Sequence, residues 1–235
     1  QYRIFNMKNY SVNKIRQVLS ERGLLYPLDV ALVGATGVGK SSTLNAIFGE
    51  DVAKVGTGVD PETQNVEGYL INDVFRVHDS AGLGDGLSAD QRHKKNLTDL
   101  LLKTITINED NTPDGFIDLV LVILDGASRD LGTSYQLLEQ VILQCISSDR
   151  VIVAINQADV AMKGRHWDNI QKKPEITLLN FLEEKALSTQ SRIKEATGLN
   201  IKKPVFYSAE YNYNIDKLLD HIVSHIPSER RRELT

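Results

Sequence analysis

Apolar runs of strand length recur along the chain, each followed by a polar or glycine-containing stretch. Val30-Ala31-Leu32-Val33, the run from Leu119 to Leu124 and the run from Val151 to Ile155 are continuously apolar. Such runs predict strands buried on both faces of a parallel sheet. Val205-Phe206-Tyr207 is a shorter strand of the same kind. Val66-Glu67-Gly68-Tyr69-Leu70-Ile71 roughly alternates, Asn72-Asp73 offers a tight turn, and Val74-Phe75-Arg76-Val77 returns, which predicts a hairpin.

Between these runs the apolar spacing changes to that of helices. Val12, Ile15, Val18 and Leu19 share one face of a helix that Ser11 would cap and Gly23 would end. Ser42 to Phe48 is a second helix. Ser88 with Gln91 resembles a capping box opening a third, expected to run to Ile107 with Leu97, Leu100, Leu101 and Ile105 inward. A fourth carries Leu137, Leu138, Val141, Ile142 and Cys145. The fifth is expected from Glu175 to Thr197, closed by Gly198. The sixth carries Ile215, Leu218, Leu219, Ile222, Val223 and Ile226 and stops at Pro227. Residues 49–64 and 83–87 read as loops, Asn111 to Gly115 as a break, and 160–174, with Trp167, as irregular. The charged run Glu229-Arg230-Arg231-Arg232-Glu233 reads as a solvated tail.

Alternating strands and helices predict an α/β fold. Its three layers are α/β/α, with a six-stranded, mostly parallel sheet and one antiparallel edge strand. Ligands of such folds bind at the carboxyl ends of the strands. The segmentation predicts an N-terminal helical extension (1–27), one domain (28–227) and a C-terminal tail (228–235). The first helix is expected to pack on the domain's flank.

Composition narrows the picture in three places. The net charge of −4 argues against nonspecific nucleic-acid binding. The single cysteine, Cys145, excludes an internal disulfide framework and fits a reducing compartment, so a cytoplasmic location is expected. No apolar run approaches the ~18 residues of a membrane span, and no signal peptide is visible in a chain that begins at Gln1.

The candidate chemistry starts at Gly34-Ala35-Thr36-Gly37-Val38-Gly39-Lys40-Ser41, which fits the phosphate-binding loop G-x-x-x-x-G-K-[ST]. Its setting, strand before and helix after, is the one the motif needs. Glycines let the backbone wrap a phosphate chain with N–H groups inward, and the following helix presents its positive end. Lys40 can reach the outer phosphates; the Ser41 hydroxyl, followed by Ser42, can bind Mg²⁺.

Further motifs sit at other strand ends. Asp79-Ser80-Ala81-Gly82 fits D-x-x-G: Asp79 can hold Mg²⁺ through water, and the Gly82 N–H can meet a γ-phosphate. Asn156-Gln157-Ala158-Asp159 is a variant of N-K-x-D. Asp159 would accept from N1–H and the N2 amino group of guanine, donors that adenine lacks. Asn156 would brace the loop and contact the base edge. Ser208-Ala209 would close the pocket, with the Ala209 N–H donating to guanine O6. Thr63 lies where a hydroxyl and a backbone N–H could reach Mg²⁺ and the γ-phosphate. His78, next to Asp79, is expected to point to the other face of its strand and to be packed rather than catalytic.

With these motifs in order, residues 28–226 resemble the G domain of the Era-like GTPases, the TrmE-Era-EngA-septin group. Within that group the chain resembles the bacterial YfjP-like subfamily. Pro61-Glu62-Thr63-Gln64-Asn65-Val66 resembles the switch I segment, Asp79-Ser80-Ala81-Gly82-Leu83 resembles switch II, and Asn214 to Leu219 resembles the family's last helix. The resemblance implies GTP and GDP binding with Mg²⁺, slow GTP hydrolysis and a switch between two states, with Lys40, Thr63 and Gly82 in catalytic roles. Three departures modify it. Gln157 replaces a lysine whose stem covers the purine, which should lower guanine affinity modestly. Gly37 replaces the asparagine that helps some members bind an activating K⁺, so no strong K⁺ stimulation is expected. Leu83 stands where Ras-type enzymes orient water with glutamine; a leucine cannot do this, so a partner or a second protomer would complete hydrolysis.

Two readings therefore stay open: a GTP-hydrolysing switch, and a septin-like guanine-nucleotide module, noncatalytic or activated by dimerisation across its nucleotide face. An ATP-dependent kinase or ATPase is disfavoured by Asp159 and Ser208-Ala209. No nucleic-acid partner is predicted, and the sequence names no effector.

Overall fold

The computed structural model describes residues 13–24, 28–35, 37–48, 67–70, 75–79, 87–106, 112–128 and 132–231. Its centre is β1 (Leu28–Val33), buried at every position. β1 pairs in parallel with β3 (Phe75–Asp79) on one side and β4 (Leu119–Asp125) on the other. β5 (Val151–Asn156) and β6 (Val205–Phe206) extend the parallel sheet, and β2 (Glu67–Leu70) closes the opposite edge antiparallel to β3. The strand order is β6-β5-β4-β1-β3-β2. This is the expected six-stranded sheet, and the pairing Glu67↔Asp79 through Leu70↔Arg76 bears out the hairpin. Its turn, Asn72-Asp73, lies outside the described residues.

Alternation along the buried strands feeds two apolar clusters, one on each face. Val30, Leu32, Leu121, Ile123, Ile152 and Ala154 pack under helix α1 (13–21), α2 (Lys40–Phe48) and α6 (Ile215–Ser224). Ala31, Val33, Val120, Val122, Val153 and Ile155 pack under α3 (Leu87–Leu102), α4 (132–145) and α5 (Ile176–Thr197). α4 runs through Gly132–Leu137, a π-helical stretch Leu138–Ile142 and Leu143–Cys145. The π stretch still turns Leu138, Val141 and Ile142 inward, as the apolar spacing requires.

The flanking position of α1 is as expected. Ile15 and Leu19 are buried among Leu28, Leu44 and Leu218, and Lys14 pairs with Asp220 of α6 at 2.6 Å. Gly23, at φ +63°, ends the helix while Leu24 N–H donates back to Leu19 O. The Ser11 cap lies outside the described residues. Gly198, at φ +73°, likewise ends α5 where the sequence places it.

The structure corrects three expectations. α3 ends at Leu102, not near Ile107. Thr104–Thr106 turns instead into a short antiparallel ribbon with Pro113–Gly115. Ile105, four residues after Leu101, mimics helical spacing while its threonine neighbours favour extended backbone. Second, within the 160–174 stretch, which is irregular over most of its length as expected, Trp167 is buried rather than set among polar residues. A ribbon of Trp167–Asp168 with Lys173–Pro174 presents it to Tyr211 and Tyr213, ring centroids 5.4 and 5.6 Å away.

Third, the start of the charged tail is docked rather than solvated. Arg231 donates to Leu101 O and Cys145 O, at the carboxyl ends of α3 and α4, and its own carbonyl accepts from Gly115 N–H. A guanidinium there meets the negative ends of two helix dipoles and satisfies their last carbonyls. Arg150 holds Glu229 O at 2.9 Å and Asp118 O at 3.2 Å.

Candidate functional site

The phosphate loop leaves β1 at Gly34 and enters α2 at Lys40. Gly39 shows why a glycine is needed. Its φ is +85°, and a Cβ there would stand 2.5 Å from the Asn156 amide nitrogen. Gly37 shares the left-handed conformation. Lys40 Nζ donates to Gly34 O at 3.4 Å, so the lysine lies back over its own loop. Ser41 and Ser42 are exposed in the first turn of α2, where unpaired helix N–H groups favour anions. Ala35 and Val38 complete the described part of the loop; Thr36 lies outside it.

The second wall is built at the ends of β5 and β6. β5 ends at Asn156; Gln157 then adopts φ 61°, ψ 37° and opens the 3-10 turn Ala158–Val160 that carries Asp159. A non-glycine residue in this conformation is uncommon and marks a turn fixed by its surroundings. Asn156 fixes it. Its buried amide donates to Val38 O at 2.9 Å and accepts from Ala209 N–H at 3.0 Å. Gln157 Nε2 donates to Gly37 O at 2.9 Å, and Ser208 Oγ donates to Asp159 Oδ1 at 2.8 Å. Ser208 is itself held by paired backbone bonds with Tyr213 at 3.0 Å.

The motifs the sequence singles out on β1, β5 and β6 thus converge. Asn156 is a brace, as expected, and its reach to Val38 O makes it the brace of the phosphate loop as well. The Ala209 N–H, expected to face guanine O6, donates to Asn156 in this structure. Gln157, expected only as a shortened cover for the purine, ties the base loop to the phosphate loop. Asp79 closes β3 and pairs in register with Leu32 of β1, at the same end of the sheet as Gly34. Thr63, Gly82 and Leu83 lie outside the described residues. His78 is packed, as expected: its Nε2 lies 2.8 Å from Asp29 Oδ1, its ring meets Phe116 edge-on, and it occupies the sheet face opposite α2.

Sequence reasoning missed two supports of the site. Lys185 of α5 donates to Gly126 O at 2.6 Å and Ser128 O at 2.8 Å, clamping the turn after β4. Gly126 N–H in turn donates to Asn156 O. Burial lowers the Lys185 pKa. The glycine at a strand end was the available signal. The other support is Tyr207, fully buried, whose hydroxyl lies 2.8 Å from Thr43 Oγ1 in α2. Burial raises its phenol above the ordinary range, so the group stays a neutral donor.

A glycine loop on the central strand, a carboxylate at the next strand end and a braced N-x-x-D turn define a P-loop GTPase domain. Comparison with known proteins gives the family. Residues 29–181 match the 50S ribosome-binding GTPase family, and the chain belongs to that family. It is 26% identical over 211 residues to GTPase Der of Orientia tsutsugamushi, covering 88% of this chain and 40% of that protein. To GTPase HflX of Methanocaldococcus jannaschii it is 27% identical over 200 residues, covering 84% and 41%. The chain thus spans about two fifths of the length of these relatives. Among solved structures, one described as "Dimerization is important for the GTPase activity of chloroplast translocon components atToc33 and psToc159" superposes with a TM-score of 0.64. It is 16% identical and covers 96% of this chain and 92% of its own. That likeness is one of fold. The expected three-layer α/β/α architecture and the GTPase family are both borne out.

Proposed function

We propose that this domain is a Mg²⁺-dependent guanine-nucleotide switch that hydrolyses GTP to GDP and phosphate. The observation that carries the reading is Asn156. One buried side chain joins the base-reading turn to Val38 of the phosphate loop and to Ala209 of the pocket wall. Base and phosphate recognition therefore belong to one rigid site. Asp159 reads the base, and the amides of Gly37, Val38, Gly39 and Lys40 with the Lys40 ammonium hold the phosphates.

Among the described residues no three His, Cys, Asp or Glu side chains converge on a metal position. Ser41, Asp79 and Thr63 are of the residue types that would hold a divalent ion together with phosphate oxygens, the usual habit of Mg²⁺. When bound, Mg²⁺ neutralises charge developing between the outer phosphates. Thr63 and Gly82 sense the γ-phosphate through their loops, a reading supported by their sequence motifs. Gly37 in place of asparagine gives rates in K⁺ and Na⁺ within about twofold of each other, on the order of the smallest effects that distinguish weak electrostatic contacts.

The test is nucleotide affinity by calorimetry for GTP, GDP and ATP on wild type and Asp159→Asn. Wild type prefers both guanine nucleotides. The variant loses that preference by about 100-fold or more, because the carboxylate no longer matches two guanine donors. Tighter binding of ATP than GTP by the wild type overturns the reading.

A second reading concerns how hydrolysis is completed. Leu83 cannot orient water, and dimerisation matters for GTPase activity in the chloroplast translocon components of similar fold. We infer a homodimer across the nucleotide face that supplies the missing group. Turnover per protomer then rises with protein concentration; a rate independent of concentration removes the dimer, and no turnover at all leaves a noncatalytic module. The residue limits 28–227, the bacterial YfjP-like subfamily and a cytoplasmic location extend the proposal; they rest on sequence resemblance and on the single cysteine. Among the described residues no helix is long and apolar enough to cross a membrane.

A further inference from the structure

Tyr207 and Thr43 form a hydroxyl pair within the core, 164 residues apart in sequence and outside every motif of the site. The proton arrangement follows from their partners. Thr43 Oγ1 donates to Gly39 O at 2.7 Å. A hydroxyl has one proton to give, so the bond between the two side chains must run from Tyr207 O–H to Thr43 Oγ1. Gly39 O also accepts the Thr43 backbone N–H at 2.9 Å. The chain of donors therefore ends on one carbonyl, which takes two hydrogen bonds.

That carbonyl belongs to the peptide group linking Gly39 to Lys40. A peptide is planar, so fixing its C=O fixes the direction of its N–H. The N–H concerned is that of Lys40, the first residue of α2. Two donors on the oxygen also polarise the group, and a donor chain strengthens each bond in it. Gly39 needs this help: at φ +85° it has the freedom of glycine and no side chain to hold it. Tyr207 itself is anchored, its N–H on Ile155 O at 2.8 Å and its carbonyl taking Ala158 N–H at 3.1 Å.

Resting on the guanine-nucleotide reading above, we propose that the Tyr207–Thr43 pair is a positioning device for the phosphates. It orients and polarises the Gly39–Lys40 peptide so that the Lys40 N–H is ready for the phosphate chain before ligand arrives. Neither hydroxyl touches the nucleotide.

The experiment compares Tyr207→Phe, Thr43→Val, the double variant and Thr43→Ser in the same chain. Affinity is read for GDP, ADP and inorganic pyrophosphate, with thermal unfolding alongside. Tyr207→Phe and Thr43→Val each weaken GDP and pyrophosphate by about five- to tenfold, the scale of one hydrogen bond. The double variant is no worse than the worse single, since both break one chain. Thr43→Ser restores most of what Thr43→Val loses. The ratio of GDP to ADP affinity stays at its wild-type value throughout. Lower melting temperatures with GDP and pyrophosphate affinities within twofold of wild type overturn the proposal and leave a purely structural pair. A collapse of the GDP to ADP ratio in the variants overturns it too, by placing the effect on the base turn. Failure of the guanine reading itself shows differently, as a wild type that does not prefer GDP to ADP while pyrophosphate still follows the pair.

Discussion

The two ends of the central sheet are stabilised by different chemistry. At the carboxyl end, where the site lies, the described cross-links are mostly neutral: Asn156 to Val38 and Ala209, Gln157 to Gly37, Ser208 to Asp159, Tyr207 to Thr43. At the opposite end they are ionic. Asp29, almost fully buried in β1, pairs with Arg76 and lies 2.8 Å from His78 Nε2, while Asp118 accepts Asp29 N–H at 2.9 Å and lies among Arg150 and Arg230. The difference has a physical logic. A carboxylate that must read a base cannot be locked in an ion pair, because an incoming ligand would have to break it. Asp159 is held by a serine hydroxyl, a partner that can be released or shared at small cost. At the far end the carboxylates are paired within the chain, Asp29 with Arg76 and Asp118 with Arg230.

The largest effect expected from breaking this contrast is on stability at the far end. Asp29→Ala strands the Arg76 guanidinium and the buried His78 ring, and removing one partner of a buried pair costs about 3–5 kcal/mol. Urea unfolding measures the loss. The variant's folded fraction should still bind GDP within a few-fold of wild type. A large affinity loss would mean that the two ends are not independent.

The reciprocal substitution is Asn156→Ala. It removes both the Val38 and the Ala209 contacts, leaving a buried carbonyl and N–H without their partner, at about 1–3 kcal/mol in stability. GDP affinity should fall by about 100-fold, since base turn and phosphate loop lose their common brace. Equilibrium binding on folded protein gives the number. Loss of stability with little loss of affinity would place the brace elsewhere.

How much of this contrast was legible beforehand differs between the ends. The site end is built from local backbone patterns, such as a glycine loop, an N-x-x-D turn and a serine-alanine wall, and these leave spacing signatures. The far end is built from side chains meeting charged partners and backbone carbonyls across long separations. Arg231 finds Leu101 O and Cys145 O, helix-end carbonyls that no residue type announces. A run of arginines therefore looked solvated. Tyr207 and Thr43 leave no spacing signature either, because their bond joins two side chains 164 residues apart. Within the elements, the strands were found because burial on both faces gives unbroken apolar runs. The end of α3 was missed because Ile105 continues a helical spacing by coincidence.

pH offers a subtler probe of the far end. Burial pushes the Asp118 carboxyl up to about 6, its hydrogen bond from Asp29 N–H only partly opposing this. Its favourable contribution is present below the ordinary carboxylate pKa and is lost as pH rises toward 6, an amount of at most about 3 kcal/mol. His221, in the last turns of α6, is pushed down to about 4, mainly by burial and then by His225. Its contribution is complete above the ordinary histidine value and is lost as pH falls toward 4. The two slopes oppose each other between pH 4 and 6. Asp118→Asn should therefore leave stability rising with pH across that window, and His221→Phe should leave it falling. Identical profiles for the two variants would show that neither group titrates as its burial dictates.

The smallest effect expected is at Gln157, and it tests whether the neutral character of the site end is a choice or an incidental feature. Gln157 Nε2 donates to Gly37 O from a left-handed backbone position that lysine tolerates equally. A lysine ammonium can make the same bond to Gly37 O, and its longer stem can lie over a bound purine. Gln157→Lys should therefore leave unfolding free energy within about 0.5 kcal/mol of wild type. It should raise GDP and GTP affinity by about two- to fivefold, the scale of one partly exposed charge and a few methylenes. The preference for guanine over adenine, which belongs to Asp159, should not move. Stopped-flow release of a fluorescent GDP resolves a change of this size, with the gain expected in a slower off-rate. A lysine that weakens binding would show that the neutral amide at Gly37 is itself required, and that the uncharged cross-links of this end are matched to the phosphate loop rather than merely tolerated by it.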